Sequence, residues 1–349
     1  MLRRLRIPML VAVGLGALIV AITAFWMRPT SRMTQIRAAL AERDLTRARS
    51  LLVEHLGERD TDLEAHFLAA QTARRLDDFP AAERHLERYR ILGGDPDAIE
   101  LERILRRSQS GDLSGSGGAM TLCIEHPEDP AVPMMIEALA RGFVAANRPA
   151  LAVQATDVWL KRNPLPGERA YALYHRGRGF ELQARIPEAI ASYREALSTN
   201  PKLSEAAFAL AEVLSREAPP EALALYGRLR DEGYKPTEVT LGTARCLRQL
   251  GELERAAVLI APLEVEQPKN VAVLVEAAKI ELDRLRPGEA ERRLRAALAL
   301  MPKDRDANVQ FARCLRDLGR DADARAQLEV VRRIDDELFR PTPPDGKTP

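Results

Sequence analysis

The side chains that could carry chemistry in this sequence are few and widely spaced. The histidines are His55, His66, His85, His126 and His175, and no two of them stand three or four residues apart. That spacing would place two imidazoles on one face of a helix, where they could share a metal ion. The sequence therefore predicts no metal site, and we expect ordinary surface or interhelix histidines.

The three cysteines also lack the surroundings of a reactive site. Cys246 and Cys314 are 68 residues apart, which is two periods of the repeat described below, and Cys123 lies earlier in the chain. Neighbouring helices lie about 8–10 Å apart, whereas disulfide-bonded Cα atoms lie within about 7 Å. A catalytic cysteine would also need a nearby histidine as its base. We expect three free, mostly buried thiols.

No other motif indicates catalysis. The glycine-rich segment SGSGG, residues 114–118, lacks the lysine and hydroxyl residue of a phosphate-binding loop and follows no predicted strand. A nucleophile elbow, a dinucleotide-binding fingerprint and zinc-ligand spacing are all absent from the sequence. We predict that the chain is not an enzyme and that it has no catalytic residue, cofactor, metal or small-molecule substrate.

The composition indicates a helical protein with mixed charge. Hydrophobic residues make up 46% of the 349 residues, but aromatic residues make up only 5%. Alanine, leucine, arginine and glutamate, which favour helices, dominate, and no segment alternates as a strand would. The net charge is +1 with 30% charged residues, which argues against a nucleic-acid binder.

One pattern returns along most of the chain at intervals of 33 to 37 residues. A small residue marks each return: Ala48, Ala82, Ser116, Ala152, Ala189, Ala222, Ala256, Ala290 and Ala324. A large apolar residue follows four positions later in every copy except the fourth, which has Thr156. In several copies a proline follows twelve positions after the small residue. These offsets keep the first two residues on one helix face and end the helix at the proline.

A period of 34 residues with two helices resembles the tetratricopeptide repeat family. The resemblance covers residues 30–337 and is carried best by Tyr171–Pro201 and Leu250–Pro268. It implies an all-α, right-handed superhelical solenoid of about nine helix-turn-helix repeats over residues 28–339. The glycines near 108–119 make the third repeat degenerate, so a frayed helix or a loop is expected there.

The resemblance also implies a peptide-binding groove on the first helix of each repeat. One groove position, in repeats two to nine, holds Gln71, Leu105, Arg141, Arg178, Glu212, Arg245, Lys279 and Arg313. Five of these eight are basic, and Arg74, Arg248 and Arg316 follow one helical turn later in three repeats. Phe67, Tyr174 and Phe208 occupy a second groove position. The asparagine of the family's chaperone-binding clamp is missing where Arg141 and Arg178 stand, so a chaperone tail is not the favoured ligand.

The predicted partner is therefore an acidic or carboxylate-ended peptide. The alternative is that these charges only form a solvated face. A solvated face should mix signs, and the sequence shows acids here only at Glu181 and Glu212.

The amino terminus predicts membrane attachment. Residues 1–6 include three arginines, and Ile7–Met27 is an uncharged run of 21 residues ending in Phe25 and Trp26. At about 1.5 Å per residue this run spans the roughly 30 Å of a hydrocarbon core. We expect a single-pass anchor in a bacterial inner membrane, with the repeats outside the cytoplasm. A signal peptide cleaved near Ala24 is the alternative.

The proline-rich residues 340–349 are expected to be disordered. The sequence thus predicts a membrane-anchored scaffold that binds proteins in a partly basic groove. The alternative is an accessory subunit that holds or regulates a separate enzyme or a secretion or envelope assembly complex. A stand-alone enzyme and a helical-repeat RNA binder are less favoured, because no catalytic domain is visible and the net charge is low.

Overall fold

The computed structural model describes residues 31–129 and 131–338, which form nine successive pairs of α-helices and no β-strand. The first helices of the pairs are α1 (Arg32–Ala41), α3 (Leu63–Arg75), α5 (Pro96–Gln109), α7 (Val132–Ala145), α9 (Pro166–Leu182), α11 (Ser204–Glu217), α13 (Pro236–Gln249), α15 (Val271–Asp283) and α17 (Arg305–Asp317). The second helices are α2 (Leu45–Glu58), α4 (Phe79–Ile91), α6 (Ser116–Glu125), α8 (Pro149–Lys161), α10 (Ile186–Thr199), α12 (Pro219–Asp231), α14 (Leu253–Glu266), α16 (Pro287–Leu300) and α18 (Asp321–Leu338). The predicted all-α architecture is confirmed over this part of the chain.

The chain divides into two compact units, with the boundary between Arg169 and Ala170. We call them the amino-terminal and carboxyl-terminal units. In the carboxyl-terminal unit each first helix from α11 to α15 packs against the first helix of the next pair. These first helices form one continuous row, which is the surface that the groove prediction concerns.

The recurring small residue is the fourth residue of nearly every second helix, and it is buried between the two helices of its pair. The residue one turn later is also buried in every copy but the last, as Leu52, Tyr193 and Tyr226 show; Leu328, in the last copy, is 51% exposed. A Cβ at Gly177 would overlap the ring of Tyr193, and one at Gly242 would overlap that of Tyr226. Small residues on the first helix therefore make room for large ones on the second, as the pattern predicts.

The third repeat is shorter at one helix end. Its second helix, α6, begins at Ser116, the recurring small residue itself, so the first turn present in the other second helices is missing. Gly111 and Gly115 in the preceding loop have φ angles of +94° and +79°, which L-residues rarely adopt. The non-helical segment is shorter than the predicted residues 108–119, because Ser108 lies within α5 and Ala119 lies within α6. Gly117 and Gly118 are tolerated in the helix because packing of its buried face outweighs their low propensity.

No helix among the described residues has the length and hydropathy needed to cross a membrane. The predicted anchor, Ile7–Met27, the basic residues 1–6 and the proline-rich residues 340–349 lie outside the described residues.

Candidate functional site

The groove position in the amino-terminal unit is occupied by contacts within that unit. Gln71 is buried, and Leu105 is fully enclosed. Arg74, one turn after Gln71, is also buried, and its Nε donates to Oε2 of Glu102 at 2.7 Å. These side chains join the second pair of helices to the third.

Arg141 belongs to a buried ion cluster around Glu137, whose side chain is 1% exposed. Arg43 donates to both carboxylate oxygens of Glu137, at 2.9 and 2.6 Å, and Nε of Arg75 donates at 2.9 Å. Nη1 of Arg141 lies 3.9 Å from Glu137 Oε1 and donates to the carbonyl oxygen of Arg75 at 2.8 Å, while Nη2 donates to Asp77 at 2.5 Å. Burial raises the pKa of Glu137, but the charges of Arg43 and Arg75 outweigh that effect and hold it well below its usual range.

The cluster links distant parts of the amino-terminal unit. It brings the turn after α1 and the end of α3 onto α7, across 94 residues of sequence. The same turn meets the start of α9, where a Cβ at Gly167 would lie 2.8 Å from the carbonyl oxygen of Glu42. Arg141 is therefore engaged by its own unit, and the open part of the predicted groove lies in the carboxyl-terminal unit.

At the start of the carboxyl-terminal unit, Tyr174 and Arg178 lie close together on α9. Burial raises the pKa of Tyr174 to about 12. The ring of Tyr174 lies 6.1 Å from that of Tyr193, whose hydroxyl donates to Glu181 at 2.7 Å. Nε of Arg178 lies 3.7 Å from Glu181, so the cation has an acid one helical turn away.

Phe208, on α11, lies in an aromatic group with a cation over it. Its ring centroid is 6.0 Å from that of Tyr234, and Nζ of Lys235 lies 4.8 Å from the Phe208 centroid. This distance is within the range of a cation–π contact.

Glu212 joins two repeats. It accepts a hydrogen bond from the hydroxyl of Tyr226, and Nη2 of Arg245 donates to its two carboxylate oxygens at 2.8 and 3.1 Å. Burial, followed by the charge and hydrogen bond of Glu212, raises the pKa of Tyr226. The hydroxyl is therefore a fixed donor.

Three further predicted cations, Lys279, Arg313 and Arg248, have acidic partners as well. Nζ of Lys279 lies 2.5 Å from Asp306 and 3.8 Å from Glu276, and Nη2 of Arg313 donates to Asp283 at 2.8 Å. Arg248 bridges Glu276 and Asp283, at 3.0 and 2.9 Å. The surface thus mixes signs more than the sequence indicated, because its acids come from positions outside the groove pattern.

Two of the predicted residues, Arg245 and Lys279, line one cavity of about 780 Å³ in the carboxyl-terminal unit. It lies beside α13, α15 and the start of α17, and its apolar lining is Leu241, Val271, Ala272, Val275, Leu300 and Met301. Met301 is 52% exposed, so this lining is open to a ligand. The other polar residues of the lining are Lys269, Asn270, Glu276, Asp304 and Asp306. The cavity can therefore accommodate a ligand that has apolar side chains next to charged or polar groups.

The cysteines are free and buried, as predicted. Burial raises the pKa of each thiol to about 11, so the nucleophilic thiolate is disfavoured. Among residues 31–129 and 131–338, no group of three His, Cys, Asp or Glu side chains is arranged to hold a metal ion.

One histidine pair was not visible in the sequence, because its members are 19 residues apart on α3 and α4. The Nδ1 atoms of His66 and His85 lie 3.2 Å apart, and Nε2 of His66 lies 2.9 Å from the carbonyl oxygen of Asp60. Nε2 must donate to that carbonyl, so Nδ1 of His66 accepts from His85. If His66 Nδ1 also carried a proton, its N–H would face the Nδ1–H of His85, and the hydrogen bond between the two rings would be lost.

This pair predicts a pH-dependent stability. Burial, then the charges of His66 and Arg84, lower the pKa of His85 against a smaller opposing effect of Asp78. Unfolded histidine, with a pKa of about 6.5, takes up a proton that folded His85 resists. The contribution is thus present above that pH and is lost as the pH falls towards the folded pKa.

We expect the free energy of unfolding to fall less steeply between neutral and mildly acidic pH in His85→Gln than in the parent. Fluorescence of Trp159 in a Trp26→Phe background reports the amino-terminal unit alone, because the chain has two tryptophans. The exposed His126 is the control, and His126→Gln should keep the parent's slope. Equal slopes in His85→Gln and the parent would rule out the effect.

The geometry defines a helical-repeat protein, and comparison with known proteins supports the same class. Residues 281–338 match the family model described as tetratricopeptide repeat. A solved tetratricopeptide repeat protein from Parabacteroides merdae aligns with a TM-score of 0.57 at 13% identity, covering 69% of this chain and 96% of that one. The family match concerns residues 281–338, and the solved structure shows that the fold over a larger part of the chain is similar to that of a tetratricopeptide repeat protein.

Two further solved structures are similar at lower TM-scores. YrrB, described as a TPR protein with an unusual peptide-binding site, has a TM-score of 0.44 at 20% identity, covering 55% of this chain and 97% of that one. PilW, described as a widely conserved type IV pilus biogenesis factor, has a TM-score of 0.49 at 18% identity, covering 62% and 97%. No curated protein matches the chain, and no catalytic family is indicated.

Proposed function

We propose that this chain is a protein-binding scaffold whose carboxyl-terminal unit takes up an extended or helical segment of a partner along its first helices. The observation that carries the proposal is the cavity beside α13 and α15, where Arg245 and Lys279 stand next to Leu241 and Val275. A concave site in which apolar residues stand beside polar groups that can fix a ligand's orientation is typical of a ligand site.

The proposed segment carries carboxylates as well as apolar side chains. Arg178, Arg245 and Arg313 each keep more than a third of their side-chain surface exposed, so an incoming carboxylate can share them with the acids that already pair with them. Each exchange of one exposed ion pair for another contributes roughly 0–1 kcal/mol. The affinity should therefore be modest and should fall as salt is raised.

Membrane attachment is the second part of the proposal. The 21 uncharged residues of Ile7–Met27 and the arginines before them support an anchor in a bacterial inner membrane with the repeats outside the cytoplasm. Protease treatment of spheroplasts tests this, and the repeats should be digested. Full protection, or a mature amino terminus near Phe25, would contradict it.

Charge removal in the cavity tests the binding proposal. Tagged full-length chain in detergent would be used to capture proteins from solubilised host membranes, and the captured proteins quantified by mass spectrometry. The double variant Arg245→Gln/Lys279→Gln should lose a partner that the parent retains. The matched control is Arg292→Gln/Arg295→Gln, which removes the same charge from exposed positions of α16 and should retain it. Equal capture by all three proteins would reject the cavity as the site.

The same capture distinguishes the accessory-subunit alternative. An enzyme recovered in equal molar amount with the chain, and lost from the double variant, would mean that the scaffold holds a separate enzyme. Several substoichiometric partners would favour a general adaptor.

A further inference from the structure

A second cavity, of about 490 Å³, lies in the amino-terminal unit between the carboxyl-terminal ends of α6 and α8. Its apolar lining is Ile124, Pro127 and Val158. Ile124 is 47% exposed, so part of this apolar lining is open to a ligand. The cavity is formed by second helices, so it is separate from the row of first helices that carries the proposed groove.

The charged residues of this cavity are Lys161, Arg162 and Glu128. The five cations at the first groove position all have acidic partners, but neither Lys161 nor Arg162 has a carboxylate within 4 Å in the described part of the chain. Nη1 of Arg162 is also enclosed by protein without a hydrogen-bond partner. Glu128 is 3.7 Å from His126 and is not paired with either cation.

Because no acid of the described residues pairs with Lys161 or Arg162, a ligand can supply the counter-charge beside the apolar lining. A carboxylate bound to the accessible N–H groups of Arg162 would form charge-assisted hydrogen bonds, and Lys161 would add a second positive charge. An apolar side chain placed over Ile124 and Val158 would remove their exposed surface from water. The cations and the apolar residues line the same cavity, so one short segment can contact both.

We propose that this cavity is a second protein-docking site, which takes a peptide segment bearing a large aliphatic side chain next to a carboxylate. A peptide segment fits this lining because its carboxylate and its aliphatic side chain match the two cations and the apolar residues; an anionic membrane surface is the other occupant that the test distinguishes. The site does not depend on the proposed groove, and a scaffold with both sites would hold two segments at once.

The test uses full-length chain in detergent and a fluorescein-labelled peptide in which leucines alternate with glutamates. Because such a peptide also suits the groove, binding is measured by fluorescence anisotropy in the Arg245→Gln/Lys279→Gln background. We expect saturable binding there. Adding Lys161→Gln/Arg162→Gln should weaken it by about tenfold. The counterpart peptide with lysines for glutamates should not bind.

A second variant separates binding from folding. Ile124→Gln changes an exposed residue. It should weaken binding of the peptide without lowering the unfolding midpoint that Trp159 fluorescence reports. The proposal would be overturned if neither cavity substitution lowered the affinity measured in the groove-variant background. It would also be overturned if that background showed no saturable binding. Binding to phosphatidylserine vesicles but not to the peptide would also overturn it and would assign the surface to a membrane.

Discussion

Replacing Glu137 by alanine is expected to lower the free energy of unfolding of the amino-terminal unit by about 3–5 kcal/mol, because it leaves buried arginines without their counter-charge. Arg43 and Arg75 are each 8% exposed, and both donate to this one carboxylate. In the variant their charges would repel each other in a region that water reaches poorly. The measurement is denaturant unfolding of full-length chain followed by Trp159 fluorescence in the Trp26→Phe background.

The control for this prediction removes the same side chain from a solvent-exposed ion pair. Glu83 pairs with Arg103 at 2.8 Å, and both side chains are about one-third exposed or more. Glu83→Ala should change the free energy of unfolding by no more than about 1 kcal/mol. If Glu137→Ala lowered the free energy of unfolding as little as Glu83→Ala does, the cluster would not be an important source of the unit's stability.

Gly142→Ala should destabilise the same unit by about 1–3 kcal/mol, or more, since it overpacks a contact between two backbones. A Cβ at Gly142, on α7, would overlap the carbonyl oxygen of Ser108 on α5. Backbone atoms cannot rotate away as a side chain can, so the two helices must move apart. The measurement is again Trp159 unfolding.

Gly118→Ala is the matched control and should have the opposite sign. Gly118 lies inside α6, and an added Cβ there would meet nothing within 4 Å. Alanine should therefore stabilise the unit by up to about 1 kcal/mol through its higher helix propensity. Destabilisation of equal size by both substitutions would show that the α5–α7 contact is not specific.

The repeat pattern predicts most of the fold, because it reports local geometry. Ala256 and Ala290 are fully buried where their helices meet, and each lies where a spacing of 34 residues places it. The start of α6 differs from the expected boundary because tertiary packing keeps Gly117 and Gly118 helical. Propensity alone does not contain that contribution.

The charge pairs of the site could not be predicted in the same way. Asp306 reaches Lys279 from the next repeat, and Glu137 binds Arg43 from 94 residues away. A periodic pattern identifies residues at equivalent positions of successive repeats, whereas the two partners of each ion pair occupy non-equivalent positions.

One signal in the sequence did mark Glu137. Four residues before the groove position, the other repeats hold apolar or aromatic residues: Phe67, Leu101, Tyr174, Phe208, Leu241, Val275 and Val309. Glu137 is the acid at that phase, and a lone acid at an otherwise apolar position indicates a buried ion pair. Because Glu137 belongs to the buried ion cluster that engages Arg141, the groove position of that repeat is occupied by contacts within the amino-terminal unit.

The central claim is that a partner segment lies in the cavity beside α13 and α15, and site-specific photo-crosslinking tests it most directly. A benzophenone amino acid replaces Leu241, which lines the cavity, or Val258, which is 75% exposed on α14 and does not line it. The account predicts a crosslink from position 241 but not from 258. The crosslinked partner segment should contain carboxylates and large apolar side chains, and Arg245→Gln/Lys279→Gln should abolish the product. Equal crosslinking from both positions, or a product at 241 that survives the double variant, would contradict the account.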